Sequence, residues 1–75
     1  MQLAPGTYEF TTTAPTVTTV TYVVTATGIV TTFGELLWNG TEYRKGAIAL
    51  EVLDGRQFVA IHGAENLTGV YRKVA

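Results

Sequence analysis

The stretch IALEVLDGRQFVAIH, residues 48–62, holds two runs of alternating apolar residues around Asp54-Gly55. A type I′ turn needs positive φ at both central positions, which Asp-Gly tolerates, so this pattern predicts a β-hairpin. A two-residue turn pairs Leu53 with Arg56, Leu50 with Val59 and Ile48 with Ile61. Side chains alternate across a strand, so Ile48, Leu50, Val52, Val59 and Ile61 are expected on one core face. Ala49, Glu51, Phe58, Ala60 and His62 then share the other face.

Outward from this hairpin, turn signals divide the rest of the chain. Asn39-Gly40 is a second strong two-residue signal, and Thr27-Gly28 also marks a hairpin. Gly63-Ala64-Glu65-Asn66 is expected as a four-residue loop. Pro5-Gly6 precedes a strand at about 7–13, and Ala14-Pro15 separates it from a long strand at about 16–26. No persistent helical period occurs. Twelve of the residues from Thr7 to Thr32 are threonine, and with Val, Ile, Tyr and Phe this is strand composition. The expected fold is all-β: a small six-stranded antiparallel meander, curled into a barrel or a strongly twisted sheet, as one domain over residues 1–75. Tyr22, Val24, Ala26, Ile29, Phe33 and Val70 join the expected core. Gly46 is the expected bulge site, and a bulge there turns Tyr43 and Lys45 to the opposite face.

Composition bounds the function. Hydrophobic residues make up 47% of the chain and charged residues 15%, against about 25% charged in ordinary soluble domains. From Phe10 to Gly34 there is no charge at all. A long uncharged β segment left exposed invites pairing with other chains, so a homo-oligomer or a protein partner is expected. The net charge of −1 opposes general nucleic-acid binding. The opening MQLAPGTYEF does not read as a signal peptide, and no apolar run has membrane-helix length, so no membrane role is expected. Cysteine is absent, and no metal-ligand spacing or phosphate loop occurs. No cofactor and no catalysis are expected.

Tyr-Arg-Lys occurs twice, at 43–45 and 71–73, and the two copies hold four of the five basic residues. Register places Tyr71 beside Phe58 and Lys73 beside Arg56. Aromatics stack on flat rings and cations take carboxylate or phosphate, so Arg56, Phe58, Tyr71 and Lys73, with His62 on the same face, form the candidate ligand-binding set. The plain alternative is an aromatic pair beside two solvated charges. Arg44 of the first copy has Glu35 as its expected ion-pair partner. His62, the lone histidine, has no acid within relay distance on its face and reads as a packing or contact residue. The expected function is a non-catalytic, self-associating β-domain that sequesters a small anionic ligand, nucleotides among the candidates, at or between subunits. The alternative is a structural or assembly protein, such as a virion or surface component, acting through protein–protein contacts.

Overall fold

A computed structural model describes residues 1–75. Eight strands run in order: β1 Gly6–Ala14, β2 Thr18–Val24, β3 Gly28–Thr31, β4 Gly34–Trp38, β5 Tyr43–Lys45, β6 Ile48–Val52, β7 Gln57–His62 and β8 Glu65–Lys73. Each pairs antiparallel with the next, and β8 pairs back onto β1 to close a barrel. The all-β meander is as expected. The strand count differs, because two of the expected strands fold back on themselves.

The first break comes after Thr31. Its hydroxyl accepts the Phe33 N–H at 3.0 Å and donates to the Gly34 carbonyl at 2.7 Å. A threonine hydroxyl used this way builds a turn that mimics backbone bonding, and Thr31 then pairs with Gly34 across the two-residue turn Thr32-Phe33. The second break is at Gly46-Ala47, where Lys45 pairs with Ile48. Gly46 has φ 62°, a conformation glycine adopts without a Cβ clash. The expected bulge is therefore a full hairpin turn. Each extra turn swaps the face presented by the next strand, so Leu36 and Tyr43 point into the core, 3% and 0% exposed.

The Asp54-Gly55 turn is also longer than expected. Asp54–Arg56 forms a three-residue turn with two left-handed residues, Gly55 at φ 72° and Arg56 at φ 63°. Leu53 N–H closes the loop onto the Gln57 carbonyl. The extra residue moves the register by one: Leu50 pairs with Ala60 and Val52 with Phe58, in place of Val59 and Gln57. A one-residue slip reverses every later side chain of the strand. Phe58 therefore points inward and is buried, while Val70, expected in the core, is 46% exposed. Phe33 is exposed at its turn, and Ala26 is exposed too. Val24, Ile29, Leu50 and Val52 are buried as expected.

The core is strongly aromatic. Phe10 is 1% exposed and lies edge-on to Phe58 at 5.3 Å between ring centroids. Tyr22 and Tyr71 flank it at 5.8 and 6.0 Å. Such ring pairs contribute about 0.5–1.5 kcal/mol beyond their buried area. One end of the barrel is plugged by the chain before β1. There Leu3 is buried, its N–H donates to the Tyr43 hydroxyl, and the Tyr8 hydroxyl donates to the Ala4 carbonyl.

Candidate functional site

The two ends of the barrel differ in side-chain size. Around the plugged end the inward positions are large: Tyr8, Trp38, Tyr43 and Tyr71. Toward the other end the same register brings in Thr12, Thr18, Thr31 and Ala60. Small residues cannot fill a barrel of this girth, and a cavity of about 270 Å³ remains, open to solvent at that end. Phe10, Leu36, Leu50 and Phe58 lie at its base. Val20, Tyr22 and Ala60 also line it, and Thr16, Phe33, His62 and Leu67 stand with the threonines around the mouth. Twelve of the 17 lining residues are hydrophobic, and none is an Asp, Glu, Lys or Arg.

Polar groups are confined to a few places. His62 pairs across the strands with Ile48 and with Glu65, and its ring lies 5.6 Å from that of Phe33. Burial pushes the Tyr22 phenol above its ordinary pKa, with the Thr32 hydroxyl opposing part of the rise. The phenol is therefore a neutral hydrogen-bonding group at physiological pH. Lys45 faces inward by register, opposite Ile48 at the same end. Its chain passes over Gly34: a Cβ at Gly34 would stand 2.9 Å from Lys45 Cε and 3.5 Å from Nζ. The ammonium is thus a rim group beside the mouth. The two ion pairs of the chain, Arg44–Glu42 and Arg72–Glu9, involve neither Lys45 nor Glu65.

The candidate residues from the sequence separate. His62 stands at the mouth. Phe58 and Tyr71 are brought together around Phe10, inside the barrel and not on an outer face. Arg56 is exposed in the turn after β6. Lys73 is exposed too, paired with Tyr8 at the plugged end. The one-residue turn extension turned Phe58 and Tyr71 inward and left Arg56 in the turn. Separately, Gly63-Ala64 is a two-residue turn and not the expected four-residue loop, so β8 is shifted by two and Phe58 faces Gly69 instead of Tyr71. Glu35 does not meet Arg44; it accepts the hydroxyls of Thr25 and Thr27, while Arg44 pairs with Glu42.

The two Tyr-Arg-Lys copies turn out to share one pattern. Both tyrosines point inward, both arginines point outward into an ion pair, and both lysines occupy inward register positions. They differ in location: Lys45 lies at the open end and Lys73 at the plugged end. Sequence reasoning missed Lys45, Phe33 and Thr31 as mouth residues. The readable signal was Thr31-Thr32-Phe33-Gly34, whose threonine is a turn former as well as a strand former.

No group of three or more His, Asp or Glu side chains converges as a metal site. No family model matches the chain, and neither a curated protein nor a solved structure matches it.

Proposed function

We propose that this barrel is a non-catalytic binding module that takes a compact, largely apolar small molecule into its open end. The observation that carries this reading is the 270 Å³ cavity lined mainly by apolar side chains. Ligand sites are typically apolar concavities with a few placed polar groups. A dry cavity of about 150 Å³ admits benzene, so this one has room for a two-ring or medium-chain molecule. The threonine hydroxyls, Tyr22 and His62 supply its polar contacts. An anionic end on such a ligand meets Lys45 at the rim, which gives the anionic ligand expected from the sequence a different cation.

The test is calorimetric titration of 2-naphthol into the protein and into Ala60→Leu. Leucine at position 60 points into the cavity and occupies it. Wild type should bind and be stabilised, by about 2.7 kcal/mol at 100 times the dissociation constant. Ala60→Leu should stay folded and lose the binding. Equal binding by both proteins, or none by wild type, would overturn the proposal.

The second reading, assembly through protein–protein contacts, draws on the outer face. Val23 and Val30 pair directly and are 48% and 46% exposed. Leu37, one diagonal step from Val30, is also exposed. Self-association is compatible with ligand binding and belongs to the same proposal.

A further inference from the structure

One wall of the barrel is unfinished. β2 runs from Thr18 to Val24, yet it pairs with β3 only at Val23 and Val24. β3 stops at Thr31 and turns away through Thr32-Phe33. Thr18–Tyr22 therefore have β1 on one side and no strand on the other.

Alternation along the strand gives the directions of the free backbone groups. Thr7 exchanges hydrogen bonds with Val74 and Ala75, on the β8 side of β1. Even-numbered β1 residues then bond toward β2, and their partners in β2, which are also even-numbered, bond back. Odd-numbered β2 residues bond toward β3, as the Thr25 N–H to Gly28 carbonyl bond shows. On this edge the N–H and C=O of Thr19 and Thr21 consequently have no partner in the barrel.

Natural sheets guard such edges with lysine, proline, inward charge or a covering loop. This edge lies in the middle of the uncharged run from Phe10 to Gly34, and its residues are Thr-Thr-Val-Thr-Tyr. Thr18, Thr19 and Thr21 are exposed.

We infer that β2 pairs edge to edge with β2 of a second copy of this chain, antiparallel about a twofold axis through Val20. The inference deepens the self-association reading and rests on it. The edge itself sets the register. With the axis at Val20, Thr19 faces Thr21 of the second copy and Thr21 faces its Thr19. All four free groups on each strand then bond, and the paired window, Thr18–Tyr22, coincides with the stretch that β3 leaves open. Shifting the axis to Thr21 sets Thr19 against Val23, which β3 already pairs, and shifting it to Thr19 sets Thr21 against Val17, outside the strand. A second copy suits this edge because neither strand has a charge to repel its counterpart, and opposed threonines pair well across strands. The interface is isologous, so it closes at a dimer.

The contact also bears on the cavity. Val20 and Tyr22 line it from β2. The second copy's strand lies along that side, with its Val20 next to Val20, and supplies wall where β3 is missing.

The chain has no cysteine, so one engineered thiol reports the geometry without ambiguity. Directly opposed residues in a non-hydrogen-bonded pair have Cα atoms about 4.5 Å apart, within disulfide range. Val20→Cys should therefore cross-link to a dimer on mild oxidation, whereas Thr68→Cys, on β8, should not. Sedimentation should show a dimer at about 0.1 mM, since so small an edge contact lies at the weak end of interfaces. Thr21→Pro removes an edge donor and no bond of the barrel. It should weaken the dimer at least about tenfold, or about 1.4 kcal/mol, while circular dichroism stays native. A dimer whose Val20→Cys form does not cross-link would leave self-association standing and overturn the β2 edge. A monomer at every concentration would overturn both.

Discussion

The backbone N–H of Leu3 donates a 2.8 Å hydrogen bond to the hydroxyl of Tyr43, forty residues away in sequence, and the bond is buried. It ties the segment before β1 to β5 and seals one end of the barrel. Tyr43→Phe removes the acceptor and leaves the Leu3 N–H without a partner. An orphaned buried donor costs about 1–3 kcal/mol. Urea unfolding should show that loss with little change in m-value. An unchanged midpoint would show that the plug is not held by this bond.

Three phenols, Tyr8 and Tyr43 buried and Tyr22 half-buried, couple folding to alkaline pH. Burial pushes Tyr8, Tyr22 and Tyr43 above their ordinary pKa of 10.0. For Tyr8 the neighbouring Tyr71 and Tyr43 add to the rise, and for Tyr43 the Leu3 N–H opposes part of it. A raised folded pKa means that the unfolded chain releases these protons first. The stabilisation is therefore fully present below pH 10 and is lost as pH rises through the folded values. Thermal unfolding measured from about pH 8 to about pH 12 should be flat with respect to these phenols below 10 and fall above it. Phenolate absorbance should lag behind that of free tyrosine. Coincidence with free tyrosine would contradict the burial.

The register of β7 and β8 has a direct mutational signature. Phe58→Ala empties a buried position against Phe10 and should cost about 3–5 kcal/mol. Val70→Ala trims a half-exposed outer side chain and should stay within about 0.5 kcal/mol. A two-residue Asp54-Gly55 turn predicts the reverse order, so chemical denaturation of the two variants decides between the registers.

Gly69 faces inward between Phe58 and Thr12. A Cβ there would overlap the Thr11 carbonyl, which is backbone and cannot swing aside. Gly69→Ala should cost about 1–3 kcal/mol through forced displacement of β1. A neutral result in chemical denaturation would mean that β1 and β8 are spaced widely enough at this point to admit a methyl group.

The three free cations should rank by position. Titrated with 2-naphthoate, Lys45→Gln should weaken binding by up to about 1 kcal/mol, the value of a solvent-screened charge contact. Arg56→Gln and Lys73→Gln should leave it unchanged, because both lie away from the mouth. A loss at Arg56 or Lys73 would place the anion at the other end of the barrel.

Local chemistry made much of the architecture legible. Asn39-Gly40, Asp54-Gly55 and Ala14-Pro15 all mark real chain reversals, and the threonine- and valine-rich runs 6–14 and 18–24 form strands. Thr31 shows where local signals mislead. Its β-branched side chain favours a strand, yet its hydroxyl bonds the backbone into a turn, and only the pairing of Ile29 with Leu36 selects the turn. The same holds for Arg56, whose positive φ lengthens a turn that Asp-Gly could have closed alone.

The sequence by itself determined an all-β meander, its uncharged third, and a core around Val24, Ile29, Leu50 and Val52. The tertiary structure alone decided which face Phe58, Tyr71, Leu36 and Tyr43 occupy, and hence where the cavity lies. The physical reason is the two-residue period of a strand. One residue added to a turn costs little locally, but it exchanges inside for outside along the whole of the next strand, and only barrel closure through the pairing of β1 with β8 selects among those alternatives.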